Sequence, residues 1–579
     1  MKADSIRSPS TRMTNNIRFF LWLALALTLW INYQQWQIDY GPKPVPAAAA
    51  TTATGETKPA DLGDNVPKAA QSASAAPASA AAAPTPANVP VEAAVAQTGE
   101  KIRVVTDVLV LDISLKGGDL VRAELPAYPL VKGKPDPVVL FNNDSPATNY
   151  VLQSGLSSSR PGASPTHLAM FTAPATRFEL TPGQDELRVP LSWTDGNGIS
   201  VTKVYTFKRS FYGIGLEYDI QNNSAAPWEA ASYAQINRTD APVERSMFKV
   251  ESFANRTPAI WGGPAYKYKK FDIHKKDTQS FSGSVQGGWI AGMQHHFVSA
   301  VVPNPAEAYD FTLAAQGNQY IFTAAGPSHT VAPGGTLKLT EQLFVGPKLQ
   351  KQLLSLHPEL DRVADYSWAT VIARPLFWLL QKAHSLVMNW GVAIILVTFL
   401  LKLLFYPLAQ YSGRQMARMR QLAPRMKQLQ EIYKDDREKL GRSMMELYKT
   451  EKANPLSGCL PMLIQMPVFL AFYWVLLESV EMRQAPFLGW INDLSSRDPF
   501  FILPALNGLA MWTQYKLNPP PPDPMQAKVF QFMPLVFSVM FALFPAGLVL
   551  YWVTNTGLSI LQQWNINRTI AAEDKSRKR

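Results

Sequence analysis

A single lysine interrupts one of the most apolar stretches of this chain. Lys402 lies within residues 391–408, which read GVAIILVTFLLKLLFYPL. A charge among membrane-spanning residues is costly, so it normally faces a protein interior or a water-filled cavity and marks a functional site. Because Lys402 precedes Leu408 by only six residues, its side chain could instead extend to the membrane surface. Both interpretations predict a membrane helix over residues 391–408.

The other apolar segments also carry polar residues, several of them at helical spacing. Residues three or four positions apart share one face of a helix, and Thr398 lies one turn before Lys402. In the last segment, residues 547–566, the residues at this spacing are Tyr551, Asn555, Ser559 and Gln562. The segments between them contribute Gln465, Asn507, Gln514, Gln531 and Ser538. Polar residues at a common depth indicate either one hydrated cavity or hydrogen bonds that join helices in pairs.

The distribution of Lys and Arg predicts the orientation, because basic loops stay in the cytoplasm. Residues 409–458 contain eleven Lys or Arg against six Asp or Glu, and basic residues flank both ends of the chain. We therefore expect six spans with both termini in the cytoplasm. In this topology most of the polar residues lie in the cytoplasmic halves of their helices, and the outer halves are apolar. The sequence predicts a groove that opens to the cytoplasm and is closed on the outer side.

Changes of composition divide the chain into six segments. They are predicted as a cytoplasmic N-terminus and first transmembrane anchor (1–36), an Ala/Pro-rich periplasmic linker (37–100), a periplasmic β-sandwich (101–346), a periplasmic interfacial amphipathic helix (347–387), a five-helix core with a cytoplasmic helical hairpin at 409–458 (388–566), and a basic cytoplasmic tail (567–579). The apolar run 19–31 could also be a cleaved signal peptide, since small residues follow it at 47–50.

Alternation of apolar and polar residues predicts strands in the 101–346 segment. Leu216, Tyr218 and Ile220 alternate with polar residues, and such runs with turn residues between them are typical of a large antiparallel sandwich. The pair His295-His296 falls in a strand-like run, so its side chains are expected to point to opposite faces and not to share a metal ion. No metal site and no cofactor is predicted.

Two helical runs in the cytoplasmic loop predict a hairpin. Their apolar residues recur at spacings of three and four: Met416, Met419, Leu422, Met426 and Leu429, then Leu440, Met444 and Leu447. Methionine forms an adaptable apolar surface, and the flanking basic residues are suited to lipid headgroups, a ribosome or a nascent chain. The two helices could equally pack only against each other. The net charge of +11 arises mainly from such loops, and no RNA- or DNA-binding motif is present.

Several short motifs resemble the YidC/Oxa/Alb family of membrane protein insertases. In the helical region they are residues 454–459 (NPLSGC), 465–467 (QMP), 483–487 (RQAPF) and 544–548 (FPAGL); in the outer domain they are 106–108 (TDV), 117–119 (GGD) and 287–289 (GGW). The resemblance implies a polytopic α-helical membrane protein with six transmembrane helices, a conserved five-helix core and an inserted all-β periplasmic supersandwich, as in the Gram-negative form.

The resemblance also assigns candidate site residues. The positive residue of the substrate groove falls on Lys402, where relatives usually have arginine, and family residues that contact the substrate fall on Thr398 and on the pair Tyr551-Trp552. The polar residues of the apolar segments add Gln465, Gln531, Asn555 and Ser559 to the predicted groove. A second tyrosine is commoner in the family at the position of Trp552. A hydrophobic slide for the incoming helix falls on Phe469, Phe472, Val536 and Met540. Because lysine lacks the bidentate fork of arginine, only the charge at position 402 is carried over.

The function implied is the insertion and folding of inner-membrane proteins, alone or with the Sec translocon, by a protein without a catalytic site. The expected partners are nascent inner-membrane proteins, the Sec translocon, the ribosome and membrane lipids. Two other classes stay open. A transporter or channel requires polar residues in the outer halves of the helices. A periplasmic enzyme or glycan-binding module would place the function in residues 101–346.

Overall fold

The computed structural model describes residues 65–69, 101–158, 164–240, 256–262, 267–275, 280–366, 369–434, 436–451, 460–517 and 524–577. The predicted anchor at 19–31, most of the predicted linker, and Cys459 lie outside these residues. Within them, strands occupy the chain from Lys101 to Pro347, and helices follow from Gln350 to Arg577. The region predicted to be all-β is therefore all-β, and the region that follows it is helical.

The β region consists of two sheets. An eleven-stranded sheet contains β1 Lys101–Val105, β2 Val110–Ser114, β3 Leu120–Pro129, β4 Pro137–Phe141, β5 Tyr150–Ser157, β6 Arg177–Glu179, β10 Trp228–Thr239, β13 Ser280–Gln286, β16 Ala308–Gln316, β17 Gln319–Ala325 and β18 His329–Val331. An eight-stranded sheet contains β7 Glu186–Thr194, β8 Ile199–Lys208, β9 Gly213–Asn222, β11 Pro258–Trp261, β12 Tyr268–Lys270, β14 Trp289–Met293, β15 Phe297–Val302 and β19 Thr336–Pro347.

The two sheets share one hydrophobic core. In β9, Leu216, Tyr218 and Ile220 are buried, as their alternation predicts, and each belongs to this core. The sheets are also joined by polar contacts: the Tyr150 hydroxyl of β5 donates to the Gly292 carbonyl of β14 at 3.0 Å. The strand pairing is antiparallel except between β1 and β6, which run parallel. The segment is thus a large sandwich, with one parallel pair at an edge.

The prediction that His295 and His296 lie in a strand and point to opposite faces is wrong. The two residues lie in the turn between β14 and β15, and their rings stack with centroids 3.8 Å apart. Alternation to opposite faces applies only to extended strand residues, so it fails in a turn. The Nε2 atom of His295 lies 2.8 Å from the carbonyl oxygen of Leu477, in the helical region. Among the described residues no group of three potential metal ligands occurs.

Nine α-helices follow the sandwich. They are α1 Gln350–Leu356, α2 Thr370–Val387, α3 Trp390–Leu404, α4 Tyr406–Ile432, α5 Arg437–Thr450, α6 Leu460–Glu478, α7 Ile502–Leu517, α8 Pro524–Phe541 and α9 Ala546–Arg577, counted over the described ranges given above. Helices α4 and α5 pack through Leu422, Met426 and Met444, as the hairpin spacing predicts. Helix α2 buries Leu376 and Leu380 but leaves Trp378 exposed.

The predicted helix over residues 391–408 is broken. Helix α3 ends at Leu404 and α4 begins at Tyr406, with a bend of 62° between them. Pro407 lies in the first turn of α4, where its missing N–H costs nothing, whereas a helix continuing from α3 would need that N–H to bond to the Leu403 carbonyl. Among the described helices, none is long and apolar enough to pass as a membrane span by itself, but α3 together with the start of α4 does. The six-span count stays a prediction.

A fully buried ion pair joins the sandwich to the helices. The Lys348 ammonium, just after β19, lies 3.3 Å from the Glu478 carboxylate at the end of α6, and neither side chain is exposed. Burial lowers the pKa of Lys348, and the Glu478 carboxylate opposes this shift. Removing one partner of such a pair leaves an uncompensated buried charge, which is strongly destabilising.

We predict that Glu478→Ala destabilises the protein by about 3–5 kcal/mol. The matched control is Glu451→Ala, which breaks the exposed ion pair with Arg425 and should cost at most about 1 kcal/mol. Replacing both partners, as Lys348→Met with Glu478→Leu, should recover most of the loss because no charge is then left buried. Thermal unfolding of the purified protein in detergent measures the order. Equal losses for Glu478→Ala and Glu451→Ala would contradict it.

Candidate functional site

Lys402 borders a small cavity among the helices. The cavity has a volume of about 40 Å³, enough for a water molecule. Its polar lining residues come from three helices: Thr398 and Lys402 of α3, Gln465 of α6, and Tyr551, Asn555 and Gln562 of α9. The structure thus brings together five of the eight predicted groove residues around one cavity, together with Gln562 of the predicted polar stripe.

Local sequence explains the position of Lys402 at the end of α3. The helix begins after Asn389, whose side-chain oxygen accepts from the backbone N–H of Val392 at 3.1 Å. It ends just before the bend, so Lys402 lies in its last turn. A cation is favoured there by the carbonyl dipoles at the C-terminus of the helix.

A chain of hydrogen bonds connects the polar groups of the site. The Lys402 ammonium donates to the Ser559 hydroxyl at 2.7 Å, and Ser559 in turn donates to the Asn555 carbonyl at 2.8 Å. The Asn555 side chain accepts from the Gln465 amide. No carboxylate lies within ion-pair distance of Lys402 among the residues that the structure describes. The ammonium is therefore solvated by neutral dipoles and remains available to an anionic group.

Thr398 is placed differently from the other polar residues. Only 2% of it is exposed, and its hydroxyl donates to the Ile394 carbonyl of its own helix at 2.6 Å. This bond satisfies the hydroxyl within α3, so Thr398 offers little polar surface to the cavity.

The side of the cavity away from Lys402 is closed by apolar packing. Val397 of α3, Phe472 of α6 and Leu548 of α9 are buried in one hydrophobic core. The ring of Phe472 stacks on that of Tyr551 with centroids 4.7 Å apart. The cavity is consequently polar at one end of these helices and sealed at the other.

Helices α7 and α8 do not line this cavity. Ser538 donates to the Pro504 carbonyl at 2.8 Å, which joins α8 to α7, and the Asn507 amide lies 3.6 Å from the sulfur of Met511. Gln531 is exposed on α8. Among these three residues Ser538 alone bonds to a neighbouring helix, because Asn507 and Met511 both lie on α7 and Gln531 faces outward. The predicted cavity is therefore not shared by α7 and α8.

The four candidate slide residues do not form one exposed surface. Phe472 is buried, and Phe469 is partly buried against the ring of Trp552, with centroids 4.5 Å apart. Val536 and Met540, on α8, are 63% and 38% exposed. An open apolar surface is therefore found on α8, whereas the α6 residues support the seal of the cavity.

Sequence reasoning missed the six apolar lining residues, which are Leu401, Leu408, Ile464 and Val468 together with Phe405 and Ala409. The last two are Phe405, at the break between α3 and α4, and Ala409, just after it. Both line the cavity because the chain bends between α3 and α4. A straight helix over residues 391–408 would place Phe405 in its interior and not at a helix end. Pro407 was the available signal for the bend.

Comparison with known proteins identifies the family. The sequence model of the family described as "YidC periplasmic domain" matches residues 101–379, and that of the "60Kd inner membrane protein" matches residues 382–574. A relative from Nitrosococcus oceani, named membrane protein insertase YidC, is 45% identical over 564 residues, covering 96% of this chain and 99% of the relative. The chain belongs to the YidC family.

Other relatives agree with this assignment. The membrane protein insertase YidC of Thioalkalivibrio sulfidiphilus is 45% identical over 576 residues, with 97% of this chain and 100% of the relative covered. Among solved structures, an active YidC insertase with its first transmembrane domain resolved is 18% identical, covers 80% of this chain and 92% of its own, and has a TM-score of 0.35. Membership of the family is therefore shown by the sequences.

We predict that Ser559→Ala destabilises this YidC-family protein by about 1.5–3 kcal/mol, the range for a hydrogen bond to a charged group. Ser559 is the acceptor that the described residues offer to the Lys402 ammonium. The control is Thr554→Val on the same helix, which removes only a bond to the Leu550 carbonyl one turn earlier. Thermal unfolding in detergent compares the two variants. If they lose the same stability, the bond from Lys402 contributes nothing.

Proposed function

We propose that the protein is a membrane protein insertase that receives polar segments of inner-membrane proteins at the cavity around Lys402. The proposal includes a groove open to the cytoplasm, six transmembrane helices with both termini in the cytoplasm, and a periplasmic sandwich. It also includes cooperation with the Sec translocon for some substrates. The names of the YidC relatives support the general activity, and the residues around Lys402 support the route.

The observation that carries the proposal is a lysine without a carboxylate partner among apolar helices. The Lys402 ammonium is held by the Ser559 hydroxyl and borders a cavity lined by Gln465 and Asn555. In surroundings of low dielectric, such a charge attracts an anionic group far more strongly than in water. An acidic residue in a hydrophilic segment that must cross the membrane would be drawn to this point, which lowers the cost of entry.

The closed outer side favours an insertase over a channel. Val397, Phe472 and Leu548 are buried where a continuous pore would need polar groups. A polar segment can thus enter the cavity while ions gain no aqueous path through it. Burial of the apolar helix of the substrate in lipid would supply the free energy that moves the polar segment past the seal, at roughly 25 cal/mol per Å² of apolar surface.

An exposed apolar face on α8 is suited to that substrate helix. Phe532, Leu535, Val536 and Val539 are all exposed on this helix. We propose that an incoming helix passes along α8 and the edge of α6, near Phe469, before it leaves for lipid. Contacts of this kind are unspecific, as an insertase with many substrates requires.

The α4–α5 hairpin is proposed to guide the nascent chain at the cytoplasmic entrance. Its apolar residues pack mainly against each other, so the surface left for partners is polar and basic. Arg414, Lys427 and Lys439 are exposed on it and suit ribosomal RNA or anionic lipid headgroups. No catalytic step is part of this mechanism.

We predict that Lys402→Arg retains insertion whereas Lys402→Ala weakens it, most of all for substrates with acidic translocated segments. The loss should be about tenfold or more, since a charged hydrogen bond or ion pair in this setting exceeds 1.4 kcal/mol. Lys516→Ala, which removes an exposed lysine of α7, is the matched control. Insertion into proteoliposomes of two substrates, identical except for acidic or neutral tails, gives the measurement. Equal loss for both tails would refute the electrostatic role.

A further inference from the structure

A second cavity lies where the sandwich meets the loops between the helices. It is an open crevice of about 940 Å³, within the size range of ligand sites. On the sandwich side its walls are the β3–β4 hairpin and the turn between β14 and β15. On the helical side its walls come from residues 483–497 and from the turn before α9. None of these walls takes part in the cavity around Lys402.

The crevice is strongly basic. Its charged lining residues are Arg238, Arg256, Arg483 and Arg497 against Asp493. Arg238 pairs with Asp240 at 2.9 Å, but the other three arginines form no ion pair with any residue that the structure describes. The Asp493 carboxylate accepts from the backbone N–H of Gln484 at 2.9 Å, and its charge offsets only part of that of Arg483. Positive charge therefore exceeds negative charge among the described residues of the crevice.

A buried histidine adds a polar atom without a partner. His296 is only 7% exposed and lines the crevice, and its Nδ1 atom has no hydrogen-bond partner among the described residues. Burial lowers the pKa of His296 well below its usual value, and that of the stacked His295 to about 4. Both rings are neutral at pH 7. The other ring nitrogen of His296 donates to the Glu478 backbone carbonyl, so Nδ1 is the acceptor nitrogen and can accept a hydrogen bond from a hydroxyl group of a ligand.

The mouth of the crevice is apolar on the sandwich side. Leu130 is 64% exposed and Val139 is 37% exposed, and both line the opening. On the helical side Leu543 precedes α9 and also lines it. Exposed apolar residues beside a cluster of arginines match a ligand that has an anionic head and an apolar body.

We propose that this crevice binds the phosphate of an anionic phospholipid from the outer leaflet. The headgroup lies among Arg256, Arg483 and Arg497, and an acyl chain runs along Leu130. Guanidinium groups bind phosphate oxygens through paired, charge-assisted hydrogen bonds. Since Arg256 belongs to the sandwich and the other two arginines to the helical region, the lipid would also join these two parts. The choice of the outer leaflet rests on the proposed topology.

Native mass spectrometry of the full-length protein in detergent, with added phosphatidylglycerol, tests this site. In the variant Arg483→Gln with Arg497→Gln, the affinity of one lipid-binding site for phosphatidylglycerol should be about tenfold lower, because charge-assisted bonds to the phosphate are lost. At a lipid concentration that fills this site in the unchanged protein, the variant should therefore carry one fewer lipid. The control is Arg177→Gln with Arg188→Gln, two exposed arginines of the sandwich, and should bind as the unchanged protein does. Ser496→Asp, which adds a negative charge at an exposed position of the crevice, should weaken binding, and Ser496→Asn should not.

Three outcomes would overturn the proposal. In the first, phosphatidylglycerol binds equally to the unchanged protein, to the arginine variant and to Ser496→Asp. This result would show that the lipid does not bind in the crevice. Inorganic phosphate or glycerol 1-phosphate could displace the lipid at equal concentration, which assigns the crevice to a free phosphate. An acidic peptide could displace the lipid at lower concentration than either, which assigns it to a translocated segment. Lipid binding is measured without any insertion reaction. A failure of the lipid-site proposal is therefore distinguishable from a failure of the proposed insertase function.

Discussion

The charge of Lys402 is the constraint around which the helical region is arranged. An ammonium among apolar helices needs polar partners, and the hydroxyl of Ser559 provides one at 2.7 Å. That requirement brings α3 and α9 together and sets their polar faces against each other, with Gln465 and Asn555 completing the cluster. Because no carboxylate neutralises the lysine among the described residues, the site keeps an attraction for anions that a structural ion pair would have lost.

A second constraint is the buried attachment of the sandwich to the helices. The buried ion pair between Lys348 and Glu478 is supported by contacts at the β3–β4 hairpin, where Arg483 donates to the Pro129 carbonyl at 2.7 Å. Glu478 ends α6, the helix whose Gln465 and Phe472 contribute to the cavity and its seal. The sandwich therefore holds the C-terminal end of a helix that forms the site, even though it contributes no residue to the cavity around Lys402.

Local patterns in the sequence predicted those features that depend on one element at a time. The alternation in β9 predicted its buried face, and the apolar spacing in residues 409–458 predicted the packed hairpin. The polar stripe of α9 predicted that Asn555 and Ser559 belong to the site. Their hydrogen-bond partners, however, depend on how the helices pack. For that reason the exposure of Gln531, the burial of Phe472 and the pairing of Lys348 with Glu478 could not be read from the sequence. The bend at Phe405 could be predicted from Pro407, because proline lacks the N–H that a continuous helix requires there.

One-sided access of water to the site tests the account most directly. Single cysteines are placed at Asn555, Ser559, Val397 and Leu548 in a protein with Cys459 replaced, and a membrane-impermeant thiol reagent is added from one side at a time. We expect labelling from the cytoplasm at Ser559 and more weakly at Asn555, and none from the periplasm at Val397 or Leu548, which are buried in the apolar core. Labelling of Val397 and Leu548 from the periplasm in the resting protein would show a continuous aqueous path and contradict the sealed groove.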